Sequence, residues 1–539
     1  MGYWAAHVLA VLFGMLAAPS FAAADFGTAT AQLAETPFKA KEEAVAQIVQ
    51  MRHPNGRALL TALLDGRVFY RRDDRKVFIA TADGEELELT DPVTRTLVGK
   101  ASRDGFAKIT TNNRLRKVLK GAIASYDLAD PDTQIREAAV KEIMRTMDED
   151  TVVLLRERVK EEQDSGVRAT IQTGIALADL KSEDPKARLA AVRALDGNLN
   201  PDVYNALSTL TQRGADGTYA ESNSDVRHAA ETALSSIRAS RSYYGVLETL
   251  FFGLSLGSVL VLAAIGLAIT FGVMGVINMA HGELIMLGAY TTYVIQQLMP
   301  GAIGASVIIA IPAAFIVSGL VGIAIERGIV RFLYGRPLET LLATFGVSLL
   351  LQQVVRDVFS ANNRPVETPA WMAGSLQINA AFSITYNRLY VVLFTLVVFT
   401  LIMMLLKKTT LGLKVRAVSQ NRPMARAMGV RAEWIDALTF GLGSGIAGVA
   451  GVALSQITNV GPNLGQQYIV DSFMVVVFGG VGNLWGTLIG GMTLGVVNKV
   501  LEPYSGAVLA KILVLLALIL FIQSRPRGLF PQKGRAAEG

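Results

Sequence analysis

The chain has 539 residues, enough for several domains, and 51% of them are hydrophobic against 18% charged. An ordinary soluble chain carries about 25% charged residues, and the mean hydropathy here is +0.38, so a wholly soluble protein is excluded. There is no Cys, which rules out disulfides and thiol chemistry; much of the net charge of +6 sits in loops between apolar runs, where membrane topology accounts for it without a nucleic-acid partner.

Residues 1–24 open on MGYWAAHVLAVLFGMLAAPSFAAA. His7 to Ala18 form an apolar core shorter than the roughly 20 residues needed to span a bilayer. Pro19 and Ser20 break it, and small residues follow, so a cleaved export signal is expected although the leading MGYW carries no Lys or Arg. The alternative is an uncleaved anchor. Either way, residues 25–242 are expected to form a periplasmic domain.

That domain is rich in Asp, Glu, Lys and Arg. Val68-Phe69-Tyr70 and Val77 to Ala80 are β-prone runs around a charged turn, and Asp83-Gly84 precedes an alternating Leu87 and Leu89, so a small β element is predicted. From about Asn113 to Arg241 the pattern becomes helical. Four segments each carry a cap residue, an apolar residue, an Arg and then small residues; the arginines are Arg136, Arg168, Arg188 and Arg227, spaced by 32, 20 and 39 residues. This resembles HEAT or armadillo repeats, in which stacked helices share a core. An ordinary helical bundle is the alternative. His53 and His228 are isolated, so a binding module rather than an enzyme is expected.

Residues 245–530 read as a polytopic all-α membrane domain of eight or nine crossings, with a cytoplasmic tail at 531–539. Predicted spans are 247–270, 283–299, 303–325, 339–359, 389–406, 434–455 and 508–523, with a Gly-rich region at 469–500 that crosses twice or holds half-helices. Arg327, Arg331 and Arg336 follow the third span. Lys407 to Arg431 follows the fifth, with seven basic residues and no acidic one. These loops and the basic tail are expected in the cytoplasm. Most of the frequent glycines in the spans are read as packing positions.

Polar residues at membrane depth are candidate pathway residues. Asn278, His281 and Glu283 lie beside Gly272, Gly275 and Gly282, a pattern suited to a broken helix. Thr344 and Gln352, with Thr340 and Gln353, lie in the fourth span; Asp471 and Asn483, with Asn459, lie around the Gly-rich region. A surface hairpin and simple helix packing are the alternatives. No catalytic constellation, metal-ligand set or phosphate-binding loop is present in the sequence, so any ATP is expected on another chain.

Four strings, GVINMAHGELIMLGAY, ETLLATFGVSLLLQQ, VRAVSQNRPMARAMGV and DSFMVVVFGGVGNLWGTLIGG, resemble the membrane subunits of ATP-binding-cassette importers for branched-chain amino acids and related amides. The resemblance implies a second permease subunit, two cytoplasmic ATP-binding subunits and a periplasmic substrate-binding protein, with no cofactor on this chain and no enzymatic activity of its own. It also implies a cytoplasmic coupling loop, matched here by Arg416, Asn421, Arg422, Ala425, Arg426 and Gly429, although the usual Glu of that loop is missing. A large exported domain before the spans is similar to urea importer permeases, so urea is the expected substrate. Branched-chain amino acids or short amides are the alternative, and a membrane-anchored adaptor or sensor is the alternative of another class.

Overall fold

The computed structural model describes residues 25–530 apart from 84, 85, 146, 148, 215 and 216. The expected export signal (1–24) and tail (531–539) lie outside the described residues. The chain divides into two units, Met1–Ile237 and Arg238–Gly539.

The first unit begins with helices α1 (Phe26–Gln32), α2 (Phe38–Met51) and α3 (Gly56–Leu64). Five short strands follow: β1 (Val68–Arg71), β2 (Val77–Asp83), β3 (Glu86–Thr90), β4 (Leu97–Ser102) and β5 (Phe106–Lys108), all antiparallel in the order β4-β3-β2-β1-β5. Both faces of the β1–β2 pair are apolar. Val68 and Val77 join Ile48, Leu59 and Leu63 in one core, while Phe69 and Phe78, paired across the strands, join Phe106 in another. Side chains alternate along a strand, so a sheet covered on both faces reads as an unbroken apolar run.

The helices that follow are α4 (Asn113–Asp127), α5 (Thr133–Arg145), α6 (Glu149–Glu161), α7 (Ser165–Asp179), α8 (Pro185–Ala194) and α9 (Pro201–Leu210). Asp164, Asp184 and Asn200 cap the starts of α7, α8 and α9 by accepting backbone N–H bonds. The four recurring arginines work in two pairs, each around one glutamate. Arg136 donates two hydrogen bonds to the Glu162 carboxylate, at 3.0 and 2.9 Å, and Arg168 donates to the Glu162 carbonyl at 3.0 Å. Arg188 donates twice to the Glu221 carboxylate at 2.8 Å, and Arg227 donates to the Glu221 carbonyl at 3.3 Å. The spacing is irregular because 32 and 39 residues separate partners within a pair, while 20 separate the pairs.

Helix α10 runs from Ser224 to Met274. In the second unit it is followed by α11 (His281–Leu298), α12 (Ile303–Gly328), α13 (Pro337–Phe359), a hairpin of β6 (Ser375–Asn379) and β7 (Phe382–Thr385), α14 (Tyr386–Lys408), α15 (Thr410–Gln420), α16 (Arg422–Ala427), α17 (Ala432–Ser455), α18 (Leu464–Gly479), α19 (Leu484–Ser505) and α20 (Ala507–Ser524). Seven of the described helices, α10, α12, α13, α14, α17, α19 and α20, are long and apolar enough to cross a membrane. Helix α11, 18 residues long like α20, and the 16-residue α18 lie among them in sequence. The Gly-rich region is two helices joined by a turn, with Gly480 at φ +102° and Gly482 at φ +80°.

Helix α17 is the hub, with 94% of its apolar window buried. Backbones meet it closely. A Cβ on Gly288 of α11 would lie 2.0 Å from the Gly448 carbonyl, and one on Gly451 would lie 2.0 Å from the Ile285 carbonyl. Only Gly permits that approach, and small residues at such contacts are how helices associate where lipid supplies no apolar drive.

Candidate functional site

The α10–α11 junction is a break. Gly275, at φ +68°, turns the chain out of α10, and α11 begins at His281. Asn278 Oδ1 accepts the Ala280 N–H at 3.0 Å, tightening the turn. His281 is fully buried and its Nε2 lies 2.8 Å from the Ala263 carbonyl; a carbonyl only accepts, so Nε2 carries the proton. Glu283, also buried, accepts from Gln352 Nε2 at 2.6 Å.

Thr340, Thr344, Ser348 and Gln352 recur every four residues on α13 and are all buried. They form a polar stripe along the break. Thr344 Oγ1 accepts the Met279 N–H at 3.1 Å, and Gln352 Nε2 also reaches Ser348 Oγ at 3.5 Å. Two polar atoms here, Asn278 Nδ2 and His281 Nδ1, are buried with no hydrogen-bond partner. Such atoms are costly to leave unpaired.

Of the seven predicted pathway residues, five thus gather at the break: Asn278, His281, Glu283, Thr344 and Gln352. The other two lie elsewhere. Asp471 on α18 accepts from Lys511 of α20 at 2.8 Å. Asn483 is the N-cap of α19, accepting from Trp485 and Gly486 while its Nδ2 donates to the Phe530 carbonyl at 3.2 Å. Gln353 is exposed and donates to Asp357 at 2.8 Å, and Asn459 is exposed.

The predicted coupling residues form a compact module. Thr409 caps α15 and Asn421 caps α16, accepting the Met424 N–H at 3.0 Å. Gly429, at φ +85°, closes α16: its own N–H bonds the Arg426 carbonyl and the next N–H, of Val430, bonds the Ala425 carbonyl. Ala425 is buried with Val415, Val418, Ala432 and Ile435. Arg422 forms a two-pronged bond with Asp436 on α17, one arm at 3.2 Å, and its guanidinium stacks 4.0 Å from the Tyr334 ring centroid. Arg416 donates to the Leu406 carbonyl, while Arg426 is exposed beside Glu433. Leu413, Met424 and Met428 are exposed.

Asp436, Tyr334 and Lys511 were not predicted. A carboxylate one turn into an apolar span was the available signal for Asp436; the sequence carries no comparable signal for Tyr334. Among the described residues no cluster of His, Asp and Glu could hold a metal ion.

The family described as "Branched-chain amino acid transport system / permease component" matches residues 249–523. The chain belongs to this permease family. The high-affinity branched-chain amino acid transport system permease protein LivH of Salmonella typhimurium is 30% identical over 301 residues, 54% of this chain and 97% of that protein. Its counterpart BraD of Pseudomonas aeruginosa is 29% identical over 296 residues, covering 53% of this chain and 96% of BraD. The ribose import permease protein RbsC of Escherichia coli is 24% identical over 307 residues, 51% of this chain and 85% of that protein. No solved structure matches the chain. The chain is therefore a multi-pass inner-membrane permease subunit of the ATP-binding-cassette type, a class that works with ATP-binding and substrate-binding partners and another permease. Its first unit precedes the family match.

Proposed function

We propose that this chain is the membrane subunit of an ATP-driven importer that carries urea by alternating access. The observation that carries the substrate reading is the extra unit. LivH is matched over 97% of its length by about half of this chain, and the family match begins only at residue 249. A large domain ahead of the spans is similar to what many urea importer permeases carry. The break supports it chemically: Asn278, Thr344, Ser348 and Gln352 supply amide and hydroxyl groups, and Glu283 supplies the one carboxylate. Urea is small, planar and neutral, with an acceptor oxygen and N–H donors, so such a set binds it without a charge partner.

In this reading residues 25–242 form a HEAT-like docking module in the periplasm, and the basic α15–α16 module faces the cytoplasm and receives two ATP-binding subunits. Their closure moves α16, and the Arg422–Asp436 bond passes the motion to α17. Helix α17 touches α11 through Gly448 and Gly451, so the motion reaches the break. A second permease subunit completes the pathway, and a periplasmic binding protein delivers the solute.

The names of LivH and BraD favour a second reading, branched-chain amino acids. ATP-dependent uptake of labelled urea against labelled leucine, by the full complex in proteoliposomes, separates the two. Urea uptake supports the first reading; leucine uptake without urea uptake refutes it.

A further inference from the structure

A cleft of about 280 Å³ opens between α10, α14, α18, α19 and α20. Five charged side chains line it: Arg388, Asp471, Lys499, Glu502 and Lys511. We propose that it is the outer receiving site for the transported solute, taking a molecule that presents an acceptor oxygen beside N–H donors, as urea and short amides do. The proposal rests on the importer reading above and names where the solute first lodges.

The cleft's position comes from connectivity. Arg388, the third residue of α14, lines it, and α14 ends at Lys408 beside the coupling module. The 23 residues of α14 span about 34 Å at 1.5 Å each, the thickness of a bilayer core. The cleft therefore lies at the opposite membrane face from the coupling module, the face from which an importer takes its cargo.

Its chemistry is divided. Asp471 and Glu502 each hold one lysine through one oxygen: Lys511 lies 2.8 Å from Asp471 Oδ2, and Lys499 lies 2.7 Å from Glu502 Oε2. A carboxylate has about four acceptor positions, so both keep capacity for N–H donors. Among the described residues Arg388 has no carboxylate partner; its guanidinium sits 4.7 Å from the Phe252 ring centroid, and its donors remain for an acceptor oxygen. Ser255 supplies the independent sign of a ligand. It is 1% exposed, it lines the cleft, and its Oγ has no hydrogen-bond partner. A buried hydroxyl left unpaired is costly unless something occupies the space beside it.

A solute oxygen held by Arg388 and Ser255 would direct its N–H groups at Asp471 and Glu502. Leu256, Val259 and Ile457 supply an apolar wall. Of the three cations in the cleft, Lys499 and Lys511 are already paired with Glu502 and Asp471, so a purely anionic ligand, such as a lipid phosphate, would find Arg388 alone uncompensated beside two carboxylates and is disfavoured.

The test uses the complete complex in proteoliposomes, and the wild-type uptake result is read first, because it alone decides the importer reading. With a transporting wild type, Arg388→Ala is expected to raise the KM for the transported solute about tenfold, the loss of one charge-assisted hydrogen bond. Arg388→Lys should recover part of it. An unaltered KM in a normally assembled Arg388→Ala complex overturns the site. Because the chain has no Cys, Thr458→Cys, exposed at the rim of the cleft, gives a second reading if Arg388→Ala fails to assemble. A small membrane-impermeant thiol reagent should label it from outside, and saturating urea should slow that labelling. Labelling that urea does not slow, or that anionic lipid slows in its place, also overturns the site.

Discussion

At the scale of single residues, two arginine–carboxylate pairs do different work. Arg422 ties the coupling module to α17 through Asp436, whose side chain is 4% exposed. Removing one partner of a buried pair leaves an uncompensated charge and typically costs about 3–5 kcal/mol. Arg422→Ala is therefore expected to loosen α16, with ATP hydrolysis persisting while uptake falls at least tenfold. The exchange of both residues, Arg422→Asp with Asp436→Arg, should restore part of the uptake. Equal loss of hydrolysis and uptake in the single variant would mean a general assembly defect rather than uncoupling. In the first unit, Glu162 behaves as a pH-sensitive strut. Burial pushes its carboxyl up, but hydrogen bonds from Arg136 and the Asp164 N–H, with the charges of Arg136 and Arg158, outweigh burial and hold its pKa at about 2. The unfolded chain titrates near 4.5. The folded value is the lower one, so the contribution to stability is complete above pH 4.5 and fades as the pH falls from there toward 2. Thermal unfolding of the full chain should show Glu162→Gln less stable than wild type at pH 6, with a gap that narrows by pH 3.5. A gap independent of pH would remove the charge from this account.

Among the elements, the α11–α17 contact is where close packing matters most. The Gly288 position leaves no room for a side chain, because a Cβ there meets the Gly448 carbonyl, carbon and Cα within 2.5 Å, all of them backbone atoms. Overpacking a core costs about 1–3 kcal/mol even when side chains can shift, and here they cannot. Gly288→Val should cut the yield of folded, assembled permease severely, while Gly346→Val on α13, with nothing within 4 Å, should be tolerated. Comparable yields by gel filtration would discredit the contact. Elements of this kind were largely readable beforehand. Gly275, Gly480 and Gly482 announce breaks because positive φ leaves a local signature in the residue type. The basic run from Lys407 to Arg431 announces the module because charge is expensive in lipid. What could not be read is which distant residues meet. Polarity alone groups Asp471 and Asn483, around the Gly-rich region, with the pathway residues; in the fold one pairs with Lys511, 40 residues on, and the other caps its own helix. The paired use of the four arginines was hidden for the same reason: Glu162 and Glu221, the residues that pair them, are ordinary charges until the helices are stacked.

For the whole molecule, orientation decides whether the parts form an importer. The module at 407–431 and the cleft around Arg388 lie at opposite ends of α14, so the two must face opposite sides of the membrane whichever way the chain is inserted. The distribution of basic residues chooses the direction: Arg327 ends α12 and Arg331 and Arg336 follow it, and of the seven basic residues from Lys407 to Arg431 two end α14 and five follow it, and such segments are retained in the cytoplasm. The α19 C-terminus carries Lys499 and Glu502 of the same cleft and so faces outward with it, and α20, which brings Lys511 to the cleft near its start, returns the chain to the cytoplasm. The absence of native cysteine makes this directly measurable. Single cysteines at Met428, 77% exposed beside the module, and Tyr504, 87% exposed at the end of α19, should label from opposite sides of intact cells and inverted vesicles. Met428→Cys is expected to react only in inverted vesicles and Tyr504→Cys only in intact cells. A third position in the first unit, Val153→Cys on exposed α6 surface, should behave like Tyr504→Cys, because α10 enters the membrane from the side on which that unit lies. Reaction of Met428→Cys from outside would place the module where no ATP-binding subunit could reach it, and the importer mechanism would fall with it; reaction of Val153→Cys from inside would bring the first-unit end of α10, with Phe252 and Ser255, to the cytoplasmic face and overturn both the docking role of the first unit and the outer site.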